Sequence, residues 1–232
     1  MFYNTLKNKN SLALLIDPDK FSVNHYKYIL EKAENYNFSV VFVGGSLVFR
    51  DINSIIKKIK KITELPVFIF PGSFYQISKY ADGILYTCLI SGRNPEFLIS
   101  QQVISAPFIK KSNLEVISTG YILVDSGKRS SVEYISHTFP IPANKFDIIL
   151  ATCFAAELIG FKSVYLEGGS GAKVPISLKI IKKLKKHISI PIIVGGGINN
   201  IKQAEMYLKC GANLVVIGTA LEKFKNNFFN RV

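Results

Sequence analysis

The chain has 232 residues, a length that suits one α/β barrel, and its 48% hydrophobic and 19% charged residues exclude wholesale disorder. No apolar run reaches the roughly 20 residues a membrane-spanning helix needs, and residues 1–11 are polar with no following signal-type stretch, so a cytoplasmic protein is expected. A formal charge of +13 favours anionic partners (nucleic acid, acidic lipid surfaces or phosphorylated small molecules) without choosing among them.

Taken in order, short β-branched runs occur at Leu12–Ile16, Val40–Val43, Val67–Phe70, Ile84–Thr87, Val116–Val124, Val164–Leu166, Ile192–Val194 and Leu214–Ile217. They alternate with stretches of helical period. Continuous apolar strands suit a parallel sheet buried on both faces, and eight of them is the count of a (β/α)₈ TIM barrel. One such domain over 1–232 is expected. An internal repeat supports it: KKIKKITELPVFIFPG at Lys57–Gly72 aligns without a gap with KKLKKHISIPIIVGGG at Lys182–Gly197, an offset of 125 residues, about half the chain. Upstream of each lies Gly-Gly-Ser, at Gly44–Ser46 and Gly168–Ser170.

Two connections stand out. Pro71 to Asp82 is about a dozen residues, short for a crossover helix with its turns, so the third helix is expected to be degenerate. Asp125 to Lys145 is long, carries Pro140 and Pro142, and reads as a mobile loop over the end of the fifth strand. In the helix near residue 181, Ile181, Leu184 and Ile188 share one face, and Lys179, Lys182, Lys183 and Lys186 form a solvated outer face. The stretch Phe146–Gly160 is apolar almost all round, which predicts cover by a second copy, a dimer or larger, or by the 125–145 loop.

In a barrel, functional side chains sit where strands end. The first strand ends in Asp17-Pro18-Asp19-Lys20, the second in Gly44-Gly45-Ser46, and the sixth in Glu167-Gly168-Gly169-Ser170-Gly171. The seventh ends in Gly195-Gly196-Gly197 and the eighth in Gly218-Thr219. Three successive glycine-rich ends predict a phosphate site, because glycine lets backbone N–H groups approach an anion closely. Asp17, with Ser46 on the adjacent strand end, suits Mg²⁺ beside phosphate oxygens, whereas Asp19 reads as a turn residue. Glu167 is a candidate general base, with Tyr121 placed to hold a substrate hydroxyl or to orient it. His25, His137 and His187 fall away from strand ends. Cys88, Cys153 and Cys210 are scattered, with no CxxC or Cys/His cluster, and read as buried thiols.

These segments resemble the geranylgeranylglyceryl phosphate synthase family, which includes the bacterial heptaprenylglyceryl phosphate synthases. The resemblance rests on Leu-Leu-Ile-Asp-Pro-Asp-Lys at 14–20, Val-Gly-Gly-Ser at 43–46, Tyr-Leu-Glu-Gly-Gly-Ser-Gly-Ala at 165–172, Val-Gly-Gly-Gly-Ile at 194–198 and Val-Ile-Gly-Thr at 216–219. They fall in the family's order over nearly the whole chain, and the 165–172 segment is the specific one. The resemblance implies a Mg²⁺-dependent prenyltransferase that joins a polyprenyl diphosphate, with geranylgeranyl diphosphate expected, to the hydroxyl of sn-glycerol 1-phosphate, releasing diphosphate. It implies Asp17 and Ser46 as metal ligands. The glycerol phosphate site would be Tyr165, Leu166, Glu167, Gly168, Gly169, Ser170, Gly171, Gly196, Gly197, Gly218 and Thr219, with Glu167 as base. It also implies a barrel without a normal third helix, which leaves an apolar groove for the prenyl tail, lined by Phe70, Phe74, Tyr75 and Tyr86. Leu15, where some relatives carry lysine, and Thr219, where many carry asparagine, depart from the pattern.

Two other readings compete. A phosphate-binding barrel isomerase or aldolase for a sugar phosphate would share the glycines, but it would want a catalytic lysine or paired acids at strand ends, or a metal-bound histidine; no lysine lies within a strand and no histidine at a strand end. A nucleic-acid module would want strand-end aromatics and arginines, whereas this charge is mostly lysine on helix faces, so no nucleic-acid partner is expected. Peripheral contact with a membrane surface is compatible with the charge.

Overall fold

In the computed structural model, which describes residues 1–222 and 229, eight parallel strands close a barrel in sequence order. They are β1 (Ser11–Ile16), β2 (Phe38–Val43), β3 (Val67–Ile69), β4 (Gly83–Leu89), β5 (Glu115–Leu123), β6 (Ser163–Glu167), β7 (Ile192–Gly195) and β8 (Leu214–Ile217). β1 pairs with both β2 and β8, which completes the ring. The helices are α1 (Phe2–Asn8), α2 (Val23–Glu34), α3 (Ile52–Ile59), α4 (Gln101–Lys111), α5 (Ser131–Ser136), α6 (Phe146–Ile159), α7 (Leu178–Leu184), α8 (Ile201–Lys209) and α9 (Thr219–Glu222).

The two-residue period of a strand divides the apolar residues into two cores. Ala13, Phe42, Phe68, Leu85, Ile117, Tyr165, Ile193 and Leu214 fill the lumen. Their neighbours Leu14, Val43, Ile69, Ile84, Ile122, Val164, Leu166 and Val215 pack outward against the helices. Both faces are dry, which is why the strands read as unbroken apolar runs. At the amino-terminal end α1 plugs the lumen: the Phe2 ring lies 5.0 Å from that of Phe68. The backbone N–H groups of Phe2 and Tyr3 donate to the Glu115 carboxylate at 2.7 and 2.8 Å, a negative charge at the positive end of the helix.

The half-barrel repeat is present as β2–α3–β3 and β6–α7–β7, four strands apart. α7 buries Ile180, Ile181 and Leu184 and exposes Lys179, Lys182 and Lys183. Residues 70–82 contain turns and no helix, so the third crossover is indeed degenerate. Buried Gln76 holds it: Nε2 donates to the Gly45 carbonyl at 2.8 Å, and Oε1 accepts from the Gly72 N–H at 3.1 Å. The loops after β2 and β3 are thereby fastened together.

The 125–145 segment departs from the expectation of a plain mobile loop. Ser130 caps α5 through a hydrogen bond from the Glu133 N–H, and Val124 bridges to Ile141. Asn94 also donates to the Ser136 carbonyl at 2.8 Å. Cover by this segment does not explain α6 either, since Leu158 remains 88% and Ile159 70% exposed. Of the cysteines, Cys153 is buried, while Cys88 and Cys210 are half-buried; all three are free thiols. No helix among the described residues is long and apolar enough to cross a membrane.

Candidate active site

The carboxyl ends of the strands surround a cavity of about 1190 Å³. That is above the usual 300–1,000 Å³ of a single-ligand pocket, so it has room for two substrates. Its walls differ in chemistry around the ring.

Ser170, Gly171, Gly196, Gly197, Gly218 and Thr219 line one side. Gly196 and Gly197 have φ of +89° and +73°, conformations that side chains rarely adopt. A Cβ on Gly196 would stand 2.7 Å from Glu167 Oε1 and 2.8 Å from the Gly168 and Gly169 nitrogens. The β6 and β7 ends thus meet at distances only glycine allows. Across them, the Ser170 and Thr219 hydroxyls hydrogen-bond at 2.9 Å, placing two hydroxyls at the rim of the glycine wall. Thr219 therefore finds a local partner despite departing from the family pattern. Leu15 also lines the cavity, and a Cβ on Gly218 would lie 3.5 Å from its side chain, so that position is apolar.

Three of the expected glycerol phosphate residues do not line the cavity. Leu166 faces outward into the strand–helix core, because it lies one residue from the inward-facing Tyr165 and Glu167. Gly168 and Gly169 shape the turn instead: the Gly168 N–H donates to Gly195 at 3.0 Å, and the Gly169 N–H to Glu167 Oε1 at 2.6 Å.

Glu167 ends β6 inside the barrel mouth and is only 7% exposed. Burial pushes its carboxyl above the ordinary carboxylate value, while the Gly169 N–H and the neighbouring Tyr165 and Tyr121 phenols pull the other way. Burial, reinforced by the charge on Glu167, holds the Tyr121 phenol well above its ordinary value. Tyr121 thus stands as a neutral phenol beside Glu167. The fully buried Tyr165 hydroxyl is near enough to favour the carboxylate, yet it makes no well-aligned hydrogen bond within the protein.

Asp17 and Ser46, at the ends of β1 and β2, line the wall that adjoins the β8 end. Asp17 Oδ1 accepts from the Asp19 N–H at 3.0 Å and caps a short 3₁₀ turn, while Oδ2 lies 3.1 Å from Lys20 Nζ. The same ammonium is 2.9 Å from Glu222 Oε2. The turn role of Asp19 is more specific than a cap: its carboxylate accepts the Phe49 and Arg50 N–H groups at 2.8 to 3.1 Å. It clamps the loop carrying Ser46 beside Asp17. A carboxylate that already holds a cation, next to a hydroxyl, fits Mg²⁺, which takes one or two carboxylates and draws its other ligands from substrate phosphates and water. Among the described residues no three His, Cys, Asp or Glu side chains come together, so a dedicated all-protein cage is absent.

From this wall the cavity runs into the gap left by the missing helix, past Phe70, Phe74, Ile84 and Tyr86 to Ser105 and Ile109 of α4. Tyr75 does not join them and is 77% exposed. Sequence reasoning missed the α4 wall and the α5 wall of Ser130 to Ser136, as well as the Lys20–Glu222 pair. A signal for α4 was present: Gln101, Gln102 and Ser105 are polar positions among the apolar residues ahead of Lys110 and Lys111. Gln102 Nε2 donates to Thr87 O at 2.6 Å, which ties α4 to β4 across the groove.

The PcrB family model matches residues 3–232. Geranylgeranylglyceryl phosphate synthase of Flavobacterium johnsoniae is 48% identical over 220 residues, covering 94% of this chain and 90% of its own. The enzyme of that name from Chitinophaga pinensis is 46% identical over 218 residues, covering 94% and 86%. Among solved structures, (S)-3-O-geranylgeranylglyceryl phosphate synthase of Thermoplasma acidophilum, in complex with its substrate sn-glycerol-1-phosphate, superposes with a TM-score of 0.89 at 31% identity, covering 98% of this chain and 92% of its own.

Proposed function

The chain belongs to the PcrB family, and we propose that it is a prenyltransferase of the geranylgeranylglyceryl phosphate synthase type, joining a polyprenyl group to sn-glycerol 1-phosphate. Geranylgeranyl diphosphate is the proposed donor. The observation that carries this reading is the meeting, in one cavity, of a glycine wall, a buried carboxylate and an apolar groove open at the side of the barrel. A sugar-phosphate isomerase or aldolase has use for the first two and none for the third.

The glycine wall, with the Ser170 and Thr219 hydroxyls, holds the glycerol phosphate. Tyr165 and Glu167 take its free hydroxyls and fix the nucleophilic oxygen, so orientation lowers the barrier. Glu167 accepts the proton of that oxygen as the ether bond forms, and Tyr121 donates toward Glu167 to hold its geometry. The groove beside Phe70, Phe74 and Tyr86 takes the tail and keeps water from the allylic carbon. Asp17 and Ser46 would hold Mg²⁺, which neutralises the diphosphate as it leaves. Lys20, beside Asp17 and Glu222, would be a further cation near the diphosphate.

The apolar faces left on α4 and α6, with Phe108 63% and Leu158 88% exposed, favour a homodimer or larger assembly. We place the enzyme in the cytoplasm. Thermal melting tests the acceptor site: sn-glycerol 1-phosphate at saturating concentration raises the melting temperature, as any native-state ligand does, and its sn-3 enantiomer at equal concentration raises it much less. Equal shifts with both enantiomers, or none with either, would count against the acceptor assigned.

A further inference from the structure

Six large apolar side chains stand exposed on the loops leaving the strands: Leu47 and Phe49 after β2, Tyr75 after β3, Tyr134 and Phe139 after β5, and Val174 after β6. All strands are parallel in one closed barrel, so these loops emerge at one end, where the cavity opens. Phe49 is 83% and Phe139 85% exposed. Single exposed apolar residues are ordinary on a soluble surface; six distributed around one mouth, four of them aromatic, are not. Neither Phe49 nor Phe139 lines the cavity, so substrate contact does not explain them.

Cations are interleaved with this rim. Lys128 and Arg129 precede Tyr134, and Lys173 precedes Val174; all three are exposed, whereas the Arg50 guanidinium after Phe49 donates to the Pro18 and Phe21 carbonyls. None of the three is in an ion pair among the described residues. Three nearby carboxylates are used within the fold. Asp19 accepts the Phe49 and Arg50 N–H groups, Asp51 caps α3, and Asp125 accepts the Gly127 N–H. The Lys128, Arg129 and Lys173 charges are therefore offered outward, while those of Asp19, Asp51 and Asp125 are held against the backbone.

We propose that this rim docks the barrel mouth onto an anionic lipid bilayer. Aromatic rings with apolar bodies and polar edges settle at the headgroup boundary, and basic side chains beside them gain from an anionic surface, on the order of fivefold in partitioning each. The inference rests on the proposed reaction for its purpose: an ether-linked prenylglyceryl phosphate is itself an amphiphile, and a docked mouth passes it to the bilayer without crossing water. The docked surface itself follows from the exposed side chains alone.

Vesicle flotation of the full chain tests it, with phosphatidylglycerol-containing vesicles compared against pure phosphatidylcholine. The wild-type protein floats with the anionic vesicles and much less with the zwitterionic ones. Phe49→Ser with Phe139→Ser lowers the bound fraction by about tenfold or more, the scale expected for removing two buried phenyl rings. Lys128→Glu with Lys173→Glu lowers binding to anionic vesicles and leaves the zwitterionic background unchanged. Leu158→Ser, on the α6 face, leaves flotation unchanged. Wild-type protein that stays in solution with anionic vesicles overturns the proposal, as does binding indifferent to both rim variants. Loss of vesicle-free self-association in the phenylalanine variant, with no vesicle binding by the wild type, would assign the rim to a second copy of the chain. Transfer from detergent-dispersed substrates reports separately on the reaction: the phenylalanine variant keeps it, and failure of the wild-type enzyme there would strike the proposed function and not the docking.

Discussion

Glu167 Oε1 accepts a 2.6 Å hydrogen bond from the backbone N–H of Gly169, two residues on in the turn that carries the glycine wall. The bond fixes the proposed base to the loop that would hold the acceptor phosphate, so base and nucleophile share one rigid frame. Glu167→Gln keeps the size and removes the base. Turnover should fall by about 10²- to 10⁴-fold, while sn-glycerol 1-phosphate binds as well or better, one negative charge having gone. Because burial raises the Glu167 carboxyl, the base is ionised only above that raised value. The acid limb of turnover should therefore lie above the ordinary carboxylate range and rise with pH, and it should vanish in Glu167→Gln.

Asp17→Asn removes the charge opposite Lys20 and the strongest proposed metal ligand. Activity should be lost at ordinary Mg²⁺ concentrations with the circular dichroism spectrum unchanged, since this strand-end side chain is not in the core. Asp19→Asn should be milder, raising the Mg²⁺ requirement by loosening the clamp on the Ser46 loop. Full activity in Asp17→Asn would remove that residue from the metal site.

Gly196→Ala puts a Cβ 2.7 Å from Glu167 Oε1 at a φ of +89°. Strain of this kind costs about 1–3 kcal/mol. Both the melting temperature and acceptor affinity should drop together. A variant with normal acceptor affinity would show that the β7 end is not part of the phosphate wall.

Ser105→Phe narrows the groove between β4 and α4, far from the base. Preference should move to shorter prenyl diphosphates, with kcat for a short donor nearly kept and KM for the long one raised. Competition between donors of two lengths, read by product mass, measures this. An unchanged preference would place the tail elsewhere.

The barrel was legible because all eight strands are apolar on both faces, and a run such as Val40–Val43 needs no partner to be read. The inward or outward sense of each residue was not legible. Leu166 sits inside the 165–172 segment yet faces the helices, and only the register that points Tyr165 and Glu167 inward reveals it. Pro71 to Asp82 was short for a full crossover helix with its turns, which is why a degenerate third helix was legible. The α5 turn of 131–136 lies ahead of Pro140 and Pro142 and was too short to show a helical period. Asp17, Ser46 and Glu167 announced themselves by following apolar strands. Lys20 and Glu222 are 202 residues apart, and nothing local in the sequence predicts that their side chains meet at 2.9 Å.

Incubation of the purified chain with sn-glycerol 1-phosphate, Mg²⁺ and a ladder of polyprenyl diphosphates, followed by product mass and diphosphate release, tests the central claim most directly. The account predicts one ether-linked prenylglyceryl phosphate for each diphosphate released, with geranylgeranyl diphosphate among the donors used, and almost none with Glu167→Gln. Absence of any ether product across the ladder, with the acceptor bound and the protein folded, would contradict it.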